Sequence, residues 1–372
     1  MNGEAAVATG VWVFPDQPAP ELVDAARHIE ELGLDELWVG DEGPARDPFT
    51  VLAATATATR RIRLATGITN PYVRHPAVAT ASMLTIHELS GGRAVLGVGA
   101  GGHMSLSPFG LTARRPVERV RDFIETARAV AAGRPAAGYT PSDVAVSETA
   151  VGAPMPVFVG ARGPRLNRLA SESADGAFVA GMPPFRYPAV IEWARSVRPI
   201  DVALYPSVAF TEEAAERHRP EMIWSLLDAP PQVRTELDFD AAAVKAAAEA
   251  VRRGDPEPAR KLITDSVLDR LMLVGRPASV GRRLAELVRA HRPTSIGLAL
   301  VQDDLHQGVQ DAAEAFAAMT EHLAGNNKPS GGHDPGGNAQ RHKPVSNKPG
   351  SGHDPGGNAT DSDDSGGERW SV

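Results

Sequence analysis

The stretch GVWVFPDQPAPELVDAARHIEELGLDELWVG (residues 10–40) decides the fold class. Its first five residues form a short apolar run that is typical of a buried strand. Residues 20–32 begin with a proline and carry apolar side chains at helical spacing, and Gly33 follows as a helix end. ELWVG (36–40) is a second apolar run. A strand, a helix and another strand in this order predict a parallel β–α–β unit.

The same alternation continues along the chain and predicts an α/β fold. The predicted strands are 10–14, 36–40, 62–67, 93–99, 156–160, 176–181, 201–210 and 295–300. Eight strands separated by helices match a (β/α)8 TIM barrel. A doubly wound open sheet is the alternative, but its dinucleotide-binding form needs a GxGxxG motif that FPDQPAP (14–20) lacks.

Two regions depart from the regular alternation. About 80 residues separate the seventh and eighth predicted strands, and their helical spacing predicts an insertion on the active-site face of the barrel. The barrel is therefore expected over 1–325, and 326–372 is expected to be a disordered low-complexity tail. In that tail NKPSGGHDPGGNA (327–339) recurs as NKPGSGHDPGGNA (347–359), a repeat of 13 residues.

Composition excludes several classes of function. The chain has 38 basic and 46 acidic residues, a net charge of -8, which predicts no nucleic-acid or membrane partner. It has no cysteine, so disulfides and thiolate nucleophiles are excluded. The absence of a signal-like start and of an apolar run long enough to span a bilayer predicts a cytoplasmic protein.

Residues that follow the predicted strands restrict the chemistry, because barrel enzymes carry their reactive groups at the C-terminal ends of the strands. No lysine lies there, which argues against a Schiff-base enzyme. IHELSGG (86–92) is not an HExxH motif, and no metal site is predicted. Asp41 and Glu42 follow the second strand but have no glycosidase pattern around them.

Glycines are concentrated at the predicted strand ends, where they allow a flat ring or a phosphate to approach the backbone. They occur in LATG (64–67), LGVGAGG (96–102) and FVGARGPR (158–165). The last of these begins a helix beside Arg162 and Arg165, a pattern typical of phosphate binding at a helix N-terminus. An ordinary turn with solvated arginines is the alternative.

Three segments in this order and spacing carry a family resemblance: LGLDELWVGDE, RIRLATGITNPYVRHPAVATASMLTIHELSGGRAVLGVGAG and VFVGARGPRLNRLASESADGAFVAG. Together they resemble the bacterial-luciferase-like superfamily of (β/α)8 flavin and deazaflavin oxidoreductases. GITNPYVRHP is most similar to the branch of methylenetetrahydromethanopterin reductase, which uses the deazaflavin coenzyme F420. The resemblance spans roughly residues 8 to 325.

The resemblance implies a set of cofactor-binding residues. It implies a cis peptide bond between Gly67 and Ile68, with Ile68 against one face of the deazaflavin so that the other face is open for hydride transfer. Asn70 would fix the following turn and reach the polar edge of the ring. The other contacts implied by position are Asp41, Ala100, Gly101, Gly102, Ser105, Arg162, Gly163, Arg165 and Leu166.

The resemblance also implies a reaction, namely hydride transfer between coenzyme F420 and a small organic substrate such as a pterin-type C=N or a C=C acceptor. Deazaflavin members often have Asp-His where this chain has Asp41-Glu42, and sugar-phosphate-oxidising relatives have Glu where Gly102 stands. The candidate catalytic residues are Asp41, Glu42 and His103. Glu42 and His103 also fit the role of polar loop residues.

Two other functions stay open at this point. One is an FMN-dependent monooxygenase that receives reduced flavin from a separate reductase, and the other is a non-catalytic flavin-binding protein. Relatives commonly form homodimers, which sets the same expectation here. Two histidines are expected to have no part in the chemistry: His75 should cap or pack at a helix start, and His87 should face solvent.

Overall fold

A computed structural model of the chain describes residues 7–143, 145–147, 151–301 and 304–325. The predicted tail, 326–372, lies outside the described residues. No helix in the described part combines the length and the apolar character needed to cross a bilayer.

Parallel strands form a closed barrel at the centre of the fold. The strands of the described residues are β1 (Ala8–Val13), β2 (Glu36–Val39), β3 (Arg63–Thr66), β4 (Ala94–Gly99), β5 (Val157–Gly160), β6 (Gly176–Ala180), β7 (Asp201–Tyr205), β8 (Ser207–Ala209), β9 (Met272–Val274) and β10 (Ser295–Leu300). Neighbours from β1 to β7 pair in chain order, and β7 pairs with β10. The barrel closes between β10 and β1, with Ala8 opposite Ser295 and Trp12 opposite Ala299. The predicted (β/α)8 barrel is confirmed.

The seventh strand differs from the prediction of one strand over 201–210. Pro206 separates β7 from β8, because proline has no backbone N–H to donate to the ladder. β8 still lies beside β10, with Ser207 opposite Ala299. Strand β9 was not predicted; it pairs with β8 and is too short to show a periodic pattern in the sequence.

Helices surround the barrel and fill the insertion. Those of the described residues are α1 (Ala19–Glu31), α2 (Pro48–Ala58), α3 (Pro76–Ser90), α4 (His103–Leu106), α5 (Pro116–Ala131), α6 (Pro164–Ser173), α7 (Tyr187–Ala194), α8 (Glu212–His218), α9 (Met222–Leu227), α10 (Pro231–Glu236), α11 (Ala241–Arg252), α12 (Glu257–Leu262), α13 (Asp265–Leu271), α14 (Pro277–His291) and α15 (Leu305–Gly325). We refer to α8–α13 together with β9 as the insertion. The predicted helical insertion before the last strand is confirmed.

Helix α3 shows how local sequence sets the helix boundaries. His75 precedes it, and the His75 Nδ1 atom accepts a hydrogen bond of 3.3 Å from the Ala77 N–H, as expected of a cap. Gly91 ends it with a φ of 67°. The expectation that His87 faces solvent is wrong. His87 is fully buried and its Nε2 atom lies 3.1 Å from the Ala153 carbonyl, because the segment before β5 covers this face of α3.

Large side chains fill the N-terminal end of the barrel. Trp38 stacks on Phe178 with ring centroids 4.0 Å apart. One oxygen of the buried Glu36 carboxylate accepts hydrogen bonds from the Trp38 indole at 3.0 Å, from the Tyr205 hydroxyl at 2.8 Å and from the Ser295 hydroxyl at 2.8 Å. This network satisfies a carboxylate that would otherwise be costly to bury. Because this end of the barrel is filled, the open space is at the opposite end.

Candidate active site

A cavity of about 590 Å³ lies at the C-terminal end of the barrel. Strand ends and the loops after them form most of its wall, which is the position of the active site in barrel enzymes. The insertion forms another part of the wall through residues of α8 and α9 and through Asp228, which follows α9. The cavity is therefore bounded both by the barrel and by the segment between β8 and β10.

The structure places most of the predicted site residues on this wall. Those that line the cavity are Glu42, Gly67, Ile68, Ala100, Gly101, Gly102, Ser105, Arg162, Gly163 and Leu166. The remaining predicted residues, Asp41, Asn70, His103 and Arg165, are not among its lining. Residues that are distant in sequence thus converge because parallel strands end at the same edge.

The Ile68 side chain forms an apolar surface on the barrel side of the cavity, which we call the shelf. The peptide bond between Gly67 and Ile68 is cis, as the resemblance implied. The Ile68 side chain lies over the ends of β4 and β5, where a Cβ atom on Gly99 or Gly160 would come within 2.1 or 2.4 Å of the Ile68 Cδ1 atom. Glycine at these two positions is therefore required by space for Ile68.

Trp12 lies against the other side of the same segment. Its indole Nε1 donates a hydrogen bond to the Gly67 carbonyl, and its ring lines the cavity. We did not assign Trp12 from the sequence. The alternation of side chains along β1 could have indicated it, since alternate residues of this strand face the barrel interior.

Arg162 and the start of α6 form a corner suited to an anion. The Arg162 Nη1 atom is buried and has no hydrogen-bond partner among the described residues. Gly181 has a φ of 62°, and a Cβ atom there would lie 2.7 Å from Arg162 Nη2, so the guanidinium rests against the backbone. Gly163 precedes α6 without a side-chain cap. A phosphate or carboxylate would satisfy both the guanidinium and the helix N-terminus.

Arg165 does not share this corner. It is exposed and does not line the cavity, although the sequence pattern placed both arginines in the same turn. Of the two, only Arg162 has the position to contact a group inside the cavity.

Glu42 is a carboxyl group with an unusual protonation state. It lines the cavity and makes no hydrogen bond or salt bridge within the described part of the chain. Burial raises the pKa of Glu42 to about 7, an effect that Arg162 opposes and that the negative charges of Asp228 and Asp41 reinforce. The carboxyl group is thus near half protonation at neutral pH, the condition that suits a general acid or base.

Asp41 is adjacent in sequence but is directed elsewhere. Its carboxylate lies 3.2 Å from the Arg74 Nε atom, and Arg74 also pairs with Asp47. The Arg74 guanidinium lies 4.4 Å from the centroid of the Phe49 ring. Asp41 therefore joins the loop after β2 to the loop after β3, and its carboxylate is engaged away from the cavity.

His103 connects the barrel to the insertion. It begins α4, and its ring stacks on Trp224 with centroids 5.8 Å apart and an interplanar angle of 9°. Its Nε2 atom contacts the Arg252 guanidinium. Burial and the Arg252 charge lower the pKa of His103, so the ring is neutral at physiological pH.

Asn70 shapes the loop after β3. Its Oδ1 atom accepts hydrogen bonds of 3.1 Å from the backbone N–H groups of Tyr72 and Val73. This is the turn-forming part of its expected role, and its contact with a cofactor ring stays a prediction. Its side chain also lies under Gly101, where a Cβ atom would be 3.3 Å from the Asn70 Cγ atom.

The insertion contributes wall residues that the sequence did not indicate. They include His218, Met222, Trp224, Ser225 and Asp228. None follows a barrel strand, and the sequence contained no information on how the insertion packs against the barrel.

Comparison with known proteins assigns the chain to a family. The sequence model of the family described as "Luciferase-like monooxygenase" matches residues 3–292. The chain belongs to this family. Among other luciferase-like proteins it is 29% identical to a 5,10-methylenetetrahydromethanopterin reductase of Archaeoglobus fulgidus, over 76% of this chain and 90% of that protein. It is 27% identical to the enzyme of the same name from Methanolobus tindarius, over 75% of this chain and 90% of that protein.

A solved structure of another protein has the same fold. It is the coenzyme F420 dependent tetrahydromethanopterin reductase from Methanopyrus kandleri, with a TM-score of 0.71 and 24% sequence identity. The alignment covers 85% of this chain and 100% of that structure. The luciferase-like resemblance drawn from the sequence is confirmed, together with the barrel that it implied.

Proposed function

We propose that this luciferase-like protein is a coenzyme F420-dependent oxidoreductase that transfers a hydride between the deazaflavin and a small organic substrate. Two of its relatives are named as methylenetetrahydromethanopterin reductases, and one solved neighbour is named as dependent on coenzyme F420. The observation that carries the proposal is one cavity that contains an apolar shelf, an anion corner and an unpaired carboxyl group of raised pKa.

The residues present fit such a cofactor. Arg162 and Gly163 would hold its anionic part, because the buried Arg162 Nη1 atom lacks a partner and the helix start lacks a cap. Ile68 would support its flat ring system from below, next to the glycine-rich wall of Ala100–Gly102. A bound deazaflavin supplies the hydride and the electron chemistry, and the protein supplies binding, orientation and exclusion of water.

Glu42 is the group that we assign to proton transfer. In the reducing direction, the acceptor carbon gains a hydride and the neighbouring atom of the C=N or C=C bond gains the proton of Glu42. With a bound deazaflavin supplying two electrons as the hydride, the acceptor would be reduced by two electrons, and Glu42 would be left as a carboxylate that regains a proton from solvent. Asp41 and His103 hold loops in place through Arg74 and Trp224, and we assign them no proton.

The second candidate is an FMN-dependent monooxygenase, which the description of the matching family favours. The shelf and the anion corner would also accept a flavin phosphate. A flavin has a ring nitrogen that supports oxygen activation, and a deazaflavin has carbon at that position, so the two functions differ in chemistry. This candidate requires a separate flavin reductase as a partner. A homodimer and a cytoplasmic location stay predictions for either function.

The test is turnover without oxygen. The full chain is mixed with reduced F420 and a panel of small C=N and C=C acceptors, and the absorbance of oxidised F420 is followed. We expect acceptor-dependent oxidation by the wild type and a loss of about 100-fold or more in Glu42→Gln. If no acceptor is reduced while reduced FMN reacts with oxygen in a substrate-dependent way, the monooxygenase is supported. Tight binding of both cofactors without any turnover would support a non-catalytic protein.

A further inference from the structure

Asp228 occupies space that a side chain on residue 102 would need. It follows α9, and its Oδ2 atom accepts a hydrogen bond of 2.9 Å from the His103 backbone N–H. A Cβ atom on Gly102 would lie 2.5 Å from the same oxygen. The φ of Gly102 is -98°, a value that any residue adopts, so glycine is needed there for the close approach of Asp228.

This contact brings a carboxylate of the insertion to the barrel wall. Asp228 and Glu42 line the same cavity. Within the described residues Asp228 forms no salt bridge, and its single hydrogen bond comes from the His103 backbone N–H. This hydrogen bond holds the Asp228 carboxylate in place on the side of the cavity that the insertion covers.

Three charged groups act on Glu42 from the elements around it. Arg162, at the end of β5, favours the ionised form of Glu42, whereas Asp41 and Asp228 oppose it. Asp41 is partly compensated by Arg74, to which it is ion-paired. Arg162 would be compensated by the anionic part of a bound cofactor, under the function proposed above. Asp228 has no ion-pair partner in the part of the chain that the structure describes, so its influence on Glu42 should persist when the cavity is filled.

We propose that Asp228 is a positioning residue for proton transfer, whose carboxylate, held against the barrel wall beside Gly102, reinforces the protonated form of the Glu42 carboxyl group across the cavity. The role of Glu42 as a proton donor to the substrate rests on the proposed function. The interaction between the carboxyl groups of Asp228 and Glu42 does not. The insertion thus adds a second carboxylate to a proton-donating site on the barrel wall.

The experiment is a titration of Glu42 in the full chain without cofactor. The protonated carboxyl group is followed by its infrared C=O band, and Glu42→Gln identifies that band by removing it. In Asp228→Asn, whose amide oxygen still accepts from the His103 N–H, we expect the pKa of Glu42 to fall measurably, because the negative charge that opposes its ionisation is removed. Asp269→Asn, which removes an exposed charge from α13 of the insertion, is the matched control and should leave the titration unchanged.

Gly102→Ala provides a second variant. Its Cβ atom would displace the Asp228 carboxylate, so the pKa of Glu42 should fall in the same direction while Asp228 is retained. An unchanged Glu42 titration in folded Asp228→Asn and folded Gly102→Ala would overturn the proposal. Because the titration uses neither cofactor nor acceptor, a lack of hydride transfer in the wild type counts against the proposed function alone.

Discussion

Glu42 illustrates how a single residue couples function to stability. An unpaired carboxyl group in a cavity wall is less favourable when ionised than the same group in water, which is why its pKa is raised to about 7. Between the unfolded value near 4.5 and the folded value near 7, the folded protein binds a proton that the unfolded chain has released. The free energy of unfolding therefore decreases as pH rises through this interval.

Replacing Glu42 by Gln should remove this pH-dependent decrease in the free energy of unfolding. We expect Glu42→Gln to be more stable than the wild type at pH 8, by an amount on the order of 1 kcal/mol or roughly 2–4 °C in Tm, and to match it at pH 4.5. Thermal unfolding at the two pH values measures the difference. Glu125→Gln, on the exposed face in the middle of α5, is the control and should behave as the wild type at both pH values. Equal stability of Glu42→Gln and the wild type at pH 8 would show that the carboxyl group is solvated.

Arg162 and Arg165 form a matched pair for testing the anion corner. Arg162→Met removes a guanidinium whose Nη1 atom is buried and unpartnered among the described residues, whereas Arg165→Met changes an exposed side chain. A charged hydrogen bond contributes about 1.5–3 kcal/mol, so Arg162→Met should weaken cofactor binding roughly 10- to 100-fold. Fluorescence titration with F420 provides the two dissociation constants. Equal losses in both variants would contradict the corner.

Most residues of the cavity wall could be predicted from the sequence, but the ion pairs and protonation of their charged groups could not. Gly67, Ile68 and Arg162 could be predicted because strand ends in a parallel barrel meet at one edge and because local motifs resemble a family. The sequence could not separate Glu42 from Asp41, since their difference depends on Arg74 pairing with one of them. Nor could it indicate Asp228, whose place on the wall depends on how the insertion packs.

At the scale of elements, the ends of β4 and β5 are built around one side chain. Gly99 and Gly160 leave room for Ile68, which in turn lines the cavity. Glycines at the ends of two neighbouring strands thus determine how closely the loop after β3 can pack against the barrel. From the sequence, these glycines were predicted to allow a ligand to approach the backbone. In the structure, they make room for the Ile68 side chain.

Gly160→Ala tests this packing. The new Cβ atom would lie 2.4 Å from Ile68 Cδ1 and 2.9 Å from Ile68 Cγ2, so the side chain must shift toward the cavity. Overpacking of this kind amounts to about 1–3 kcal/mol, and F420 affinity should fall about 10-fold. Ile68→Ala in the same chain should restore part of the lost affinity, as a double-mutant cycle would record. Gly325→Ala, whose added Cβ meets nothing within 4 Å, is the control.

At the scale of the molecule, the barrel is closed by strands from the two ends of the described chain. β10 pairs with β1, and α15 packs closely on α14, where a Cβ atom on Gly281 would lie 2.4 Å from the Ala315 carbonyl oxygen. The eight strands of the barrel could be predicted because each is an apolar run between helices. The pairing of β9 with β8 could not, since it involves only three residues of the insertion.

Deletion of residues 326–372 should leave the barrel intact. The closing strand and the last helix are both complete by Gly325, so we expect an unchanged Tm and an unchanged affinity for F420. Thermal unfolding and fluorescence titration of the shortened chain provide both values. A large decrease in either would show that the tail belongs to the barrel domain.

The central claim is that the cavity binds a deazaflavin in the manner required for hydride transfer. The most direct measurement is a parallel titration of the purified full chain with F420, FMN and FAD, followed by absorbance and intrinsic fluorescence. We predict saturable binding of F420 that is tighter than that of FMN and FAD and that is weakened by Arg162→Met. Preferential binding of reduced FMN, with F420 bound weakly or not at all, would contradict the account.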